Sequence, residues 1–226
     1  MKMLKFLIII CGFLCLPFQA SAQTGSSAPH QLLVVVYGDI LTSTNYLPHD
    51  QTFPYQLEKR LRITGFEVKV VAMGDPEFTT STALERIDNL IGRAPDLVIV
   101  QLGETDMKRG FSHVGFYDNL LRIIQALKKN GIYTIVMGTK SPSFNGAEYV
   151  DKIDTYFKRI SANTPVYPYT LTGISGVPDM TMGDNYRPNA NGVTTMVNGV
   201  YGMVDTGLRW KLDMINKIRL QQRQKR

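Results

Sequence analysis

The strongest constraint on this chain is a rhythm of apolar runs. Residues 32–37, 67–72, 96–102, 132–138 and a short stretch near 165–168 are rich in β-branched and other apolar residues. Helical periodicity fills the intervals, at about 53–63, 81–92, 114–129 and 146–161, and a last helix is expected from after Pro188 to about 206. Leu84, Ile87, Leu90 and Ile91 fall on one face of the second of these, and Leu120, Leu121, Ile124 and Leu127 on one face of the third. Runs such as "PDLVIVQLG" and "GIYTIVMG" leave almost no polar position, so both faces of those strands must be covered. That is the pattern of central strands in a parallel sheet with helices on both sides. Ligands in such folds bind beyond the carboxyl ends of the strands. The residues that follow each strand are therefore where function is to be sought.

The two ends of the chain differ from this body. "MKMLK", the apolar run "FLIIICGFLCLPF" and Ala20-Ser21-Ala22 read as a secretory signal peptide over 1–22, because the apolar run is too short to span a membrane. Cleavage after Ala22 would place the protein in the periplasm or outside the cell. It would also remove Cys11 and Cys15, the only 2 cysteines, so the mature chain would rely on its core and not on disulfides. Residues 23–31 are a polar linker, 32–208 one domain of ordinary size, and 209–226 a basic tail that reads as a partly amphipathic helix fraying at its end. The tail carries a net +6, and residues 23–208 about −2. A near-neutral body lacks the basic face of a nucleic-acid-binding domain. The tail instead suits an anionic surface, lipid head groups or cell-wall polymer.

Four strand ends carry the chemistry. The first strand ends in Gly38-Asp39-Ile40-Leu41. The second ends in "AMGDPEFTT" with Gly74. The third ends in "QLGETDMKRGF", with Gly103, Thr105 and Asp106. The last loop, "GDNYRPNANG", holds Asp184, Arg187 and Pro188. In this order and spacing they resemble the SGNH (GDSL) hydrolase family, nearest its bacterial periplasmic acyl-CoA thioesterase/lysophospholipase and arylesterase group. Phe53-Pro54 and Arg109-Gly110-Phe111 extend the resemblance, which covers most of 32–206. It implies a three-layer α/β/α sandwich on a five-stranded, mainly parallel, flavodoxin-like sheet, with no cofactor and no metal. It also implies four catalytic positions. A serine nucleophile follows Gly-Asp, and here that position is Ile40. A backbone N–H of the oxyanion hole is supplied at Gly74. An asparagine side chain of the same hole falls at Thr105. The histidine base, oriented by the aspartate matching Asp184, falls at Arg187. Asp39, Leu41 and Asp106 complete the expected binding frame.

Three of these positions hold residues that change the chemistry. Isoleucine cannot attack a carbonyl. A guanidinium stays protonated and cannot serve as a base. Threonine keeps a hydroxyl donor on a shorter side chain. The resemblance thus implies an exported, catalytically degenerate member, with an acyl- or acetyl-bearing ligand or an envelope protein as its partner. The competing expectation is an active esterase, thioesterase or lysophospholipase with a displaced nucleophile, for which Thr42, Ser43 and His49 are the available groups. Arg187 is expected to pair with Asp184 and staple the loop, in preference to holding an anionic ligand. Asp39, Asp75, Glu104, Asp106 and Asp184 could together attract a cation, but capping of turns and helix starts is the favoured role. His30 and His113 are read as structural. Tyr167, Tyr169, Met180, Met182 and Tyr186 are ordinary core and rim before they are a groove. The glycines of the last helix suit close packing on the sheet or on a partner.

Overall fold

The structure is a computed structural model that describes residues 30–39, 46–139, 141, 143–167, 177–183 and 187–225. Residues 1–22, read as a signal peptide from their sequence pattern, most of the linker, Ile40, Leu41, Thr42, Ser43, Tyr169, Asp184 and Tyr186 lie outside the described residues.

The apolar runs form strands β1 (Leu32–Gly38), β2 (Val68–Gly74), β3 (Leu97–Gln101), β4 (Tyr133–Met137) and β5 (Val166–Tyr167). They make one five-stranded sheet in the order β2-β1-β3-β4-β5, with every pair parallel. Successive side chains alternate between the two faces. Val35, Tyr37, Val98, Val100 and Val136 enter one core cluster, and Val34, Val36, Leu97, Ile99 and Ile135 the other. Outside the edge strand β2, where Lys69 is exposed, neither face meets water, which is why the central runs show no polar alternation.

Helices α2 (Thr80–Glu85), α3 (Ile87–Ile91), α5 (His113–Lys129) and α6 (Ala147–Ser161) cover the first face. Helices α1 (Phe53–Ile63) and α7 (Ala190–Gln224) cover the second. Their starts are written locally. Pro54 stands in the first turn of α1, Thr79 and Thr82 cap α2 reciprocally, and the Asn189 side chain accepts the N–H groups of Asn191 and Gly192 at α7.

Three expectations change. The helix expected over 81–92 is two helices, broken at Arg86 (φ −101°, ψ 8°), whose guanidinium lies 5.0 Å from the centre of the Phe78 ring. The break leaves Ile87 and Leu90 buried but Leu84 and Ile91 only partly so. A short helix, α4 (Glu104–Lys108), follows β3 directly inside the motif. Finally, the helix expected to about 206 and the basic helix expected over the terminal stretch are one: α7 runs 35 residues without a break. Its glycines make it a poor helix by propensity, but packing overrides that. A Cβ on Gly199 would overlap the Tyr167 ring, and one on Gly207 would come within 2.6 Å of the Tyr133 ring. These glycines let the helix lie close on the sheet.

Gly103 is constrained twice. Its φ is +113°, and a Cβ there would overlap the Phe116 ring. Gly103→Ala should therefore cost about 3 kcal/mol in urea denaturation, and Gly207→Ala about 1–3 kcal/mol. Gly202 has open space around it, so Gly202→Ala should instead gain up to about 1 kcal/mol. Equal effects at Gly202 and Gly207 would contradict the packing account.

Candidate functional site

The chain leaving β1 passes to one face of the sheet and the chain leaving β3 to the other, so a crevice opens between their ends. Asp39 and the Gly103–Asp106 turn line it. Asp39 is fully buried. Its N–H donates to the Gln101 carbonyl at 3.1 Å, and its Oδ2 accepts the Glu104 N–H at 3.0 Å, which starts α4. Glu104 is also buried, and its Oε1 lies 2.7 Å from Lys108 Nζ one turn along the helix. Burial pushes the Asp39 carboxyl well above the ordinary carboxylate range, and the neighbouring Glu104 carboxylate pushes it further. The Glu104 N–H and the Gln101 side chain only partly offset this.

Asp106 acts as a tether. It accepts the Thr80 N–H at 2.8 Å and the Thr80 hydroxyl at 2.6 Å, binding α4 to the first turn of α2. Burial still raises its pKa, against those bonds and Arg109. The buried Thr105 hydroxyl donates to the Pro76 carbonyl at 3.0 Å. Its proton is thus directed to the loop after β2. Arg109 pairs with Glu77 in that same loop. Gly74 ends β2 opposite Gly38 and is exposed. Asp75 donates its N–H to the Gly38 carbonyl at 3.2 Å and accepts the Glu77 N–H at 2.9 Å. Asp39, Asp75 and Asp106 therefore cap turns and helix starts, as expected of them.

Arg187 holds its guanidinium 5.6 Å from the centre of the Tyr46 ring, within cation–π reach. Its carbonyl accepts the Met182 N–H at 2.7 Å, and Pro188 bridges to Thr181. The expected Asp184 partner lies outside the described residues. A cleft of about 470 Å³ opens beside this loop, lined by Tyr46, Leu47, Gln51, Met182, Asn189 and Asn191 among others. Met182 thus lines a groove. Met180 packs against the α7 core, where Thr195 donates to its sulfur at 3.7 Å, and Tyr167 is buried in that core.

The histidines have structural partners. His30 is 3.1 Å from Asp96, His113 is 2.9 Å from the Tyr156 hydroxyl, and His49 is exposed, edge-on to Tyr55. Among the described residues, no group of three or more His, Cys, Asp or Glu could hold a metal ion. Sequence reasoning missed Lys108, whose signal was the four-residue spacing from Glu104 on a helix it had not expected.

These features define an α/β protein with a parallel sheet and a cleft at the point where the strand order reverses. Similarity narrows the class. The chain is 29 % identical to Esterase TesA of Pseudomonas aeruginosa over 173 residues, which cover 75 % of this chain and 82 % of that protein. It is 28 % identical to an arylesterase of Vibrio mimicus, over 82 % of this chain and 90 % of that one. Among solved structures, the SGNH-hydrolase family esterase AlinE4 superposes with a TM-score of 0.65 at 27 % identity, covering 80 % of this chain and 99 % of its own. The TesA crystal structure gives a TM-score of 0.72 at 24 % identity, covering 77 % and 99 %. No protein-family model matches the chain. In sequence and in fold the chain is thus similar to esterases of the SGNH (GDSL) hydrolase family.

The buried carboxylates set a pH dependence. Folding tightens the hold of Asp39 on its proton, so its contribution is complete below the usual 3.8 and is lost as pH rises through its raised folded pKa. Asp39→Asn should flatten the fall in unfolding free energy as pH rises above about 4, because the variant has no carboxyl to ionise in the buried site. Glu104→Gln should weaken the same slope. Urea melts across that range that run parallel to wild type would refute the assignment.

Proposed function

We propose that this protein is an exported, catalytically degenerate SGNH hydrolase that works as a binding or accessory module of the cell envelope, with the family cleft holding an acyl- or acetyl-bearing ligand. The observation that carries this reading is the pairing of a retained frame with displaced reactive groups. The Asp39 turn and the Thr105 turn meet as an esterase cleft needs, yet the residue after Asp39 is Ile40. The Thr105 hydroxyl is committed to the Pro76 carbonyl, and Arg187 lies over Tyr46 where the family resemblance puts a base. Loss of one triad member leaves roughly 10³–10⁴-fold over water from hole and binding, and loss of a hole donor removes a further roughly 10²–10³, so with nucleophile, base and hole donor all replaced no useful turnover remains. Export rests on the N-terminal sequence pattern.

The relatives named as esterases favour one other reading, hydrolysis by a displaced nucleophile. His49 speaks against it, because its ring is engaged with Tyr55 on the exterior. The two readings part on p-nitrophenyl acetate and butyrate. The wild-type protein should match the buffer rate. Ile40→Ser/Thr105→Asn/Arg187→His should gain at least about a hundredfold over it, the scale of one restored hole donor. Robust wild-type turnover abolished by Ser43→Ala, or a fluorophosphonate adduct on a wild-type hydroxyl, would overturn the degenerate reading.

A further inference from the structure

Helix α7 serves two environments. From Ala190 to Leu212 it is docked: Val193, Met196, Val197, Val200, Val204 and Leu208 are buried against the sheet, and Leu212 packs beside them. Lys211 reaches Asp96 at 3.7 Å, at the start of β3. Beyond Leu212 no described residue of α7 joins either core cluster. The helix nevertheless continues to Gln224, which at 1.5 Å per residue extends it by about 18 Å.

This arm is not a plain solvated end. Trp210, Met214 and Ile218 stand four residues apart and share one line of the helix. Trp210 is 46 % exposed, Ile218 49 % and Leu220 58 %. Lys217 borders the line, paired with Asp213 one turn back at 2.6 Å, and Lys225 continues it at the tip; both are long enough to lay their stems along apolar material and keep the ammonium in a polar layer. Residues 209–226 carry +6 against about −2 for residues 23–208. Two such arms repel each other, so a second copy of the chain is a poor occupant. No helix of the described residues is long and apolar enough to cross a membrane. An apolar line rimmed by lysines fits an interface between water and lipid.

Position adds an independent argument. The arm leaves the domain at the amino edge of the sheet, where Asp96 also holds His30 and the Leu33 N–H. The N-terminal segment with its apolar run joins the fold at this same edge. The cleft opens at the carboxyl edge, on the far side.

We propose that residues 209–225 dock on the surface of an anionic lipid bilayer, with Trp210, Met214 and Ile218 seated at the head-group level and the basic residues facing lipid phosphates, so that the cleft is left open to solvent.

Trp210 is the only tryptophan, and it stands half-exposed where the arm leaves the domain, its ring 5.6 Å from that of Tyr133, so its fluorescence reports on the root of the arm. Protein lacking residues 1–22 keeps every described element and removes the competing apolar run. Mixed with phosphatidylglycerol-containing vesicles, it should co-sediment and show a blue-shifted Trp210 emission, with binding weakened by salt. Vesicles of phosphatidylcholine alone should bind much less. Lys217→Glu/Arg219→Glu/Arg223→Glu should lower partitioning by about a hundredfold or more, and Met214→Gln/Ile218→Gln should abolish the blue shift, while circular dichroism and the urea midpoint of the domain stay unchanged. Equal binding to neutral vesicles, binding untouched by charge reversal, or binding to anionic vesicles and to polyglutamate alike without a blue shift would each overturn the proposal. So would a concentration-dependent dimer that the arm variants abolish.

Discussion

The fold turns on one buried carboxylate. Asp39 sits wholly out of water at the end of β1 and accepts the first N–H of the turn that follows β3. A carboxyl group in that position is tolerated only if something satisfies it. The bond it accepts joins two strand ends that otherwise diverge to opposite faces of the sheet. Glu104 complicates the arrangement, since its own buried carboxylate stands near enough to oppose ionisation of Asp39, and Lys108 offsets that charge from one turn further on. The cleft floor is therefore set by electrostatics as much as by packing.

Much of what resembles an esterase here is also simply what the fold needs. Asp106 ties α4 to α2 through Thr80, and Gly103 makes room for the Phe116 ring. Thr105 and Arg109 clasp the loop after β2 through Pro76 and Glu77. Such residues are retained whether or not a substrate is cleaved, because removing them opens the strand ends. A frame kept for packing can outlast the chemistry it once positioned, and fold alone does not decide activity.

The long last helix joins two tasks that ordinarily sit apart. Its first half closes the second core layer, with Gly199 and Gly207 admitting the Tyr167 and Tyr133 rings. Its second half leaves the domain opposite the cleft. Beyond Leu212 the arm carries no described residue of either core cluster.

The sequence by itself determined the sheet, its parallel sense, the helices α1, α5 and α6 to within a residue or two, and the strand ends that carry the motifs. It could do so because burial on both faces and a 3.6-residue period are local patterns. It also supplied the identities of Ile40, Thr105 and Arg187, which no packing can alter. Only the tertiary structure decided where those groups are spent: the Thr105 hydroxyl on Pro76, Arg187 over Tyr46, the Asp39 carboxylate on Glu104. It alone decided that the glycine-rich helix runs on past Gly207 into the tail without a break, because the rings filling the space beside Gly199 and Gly207 come from β5 and β4. Contacts between residues far apart in the chain have no local signature, and they fix both the partner of a polar group and the fate of a poor helix former.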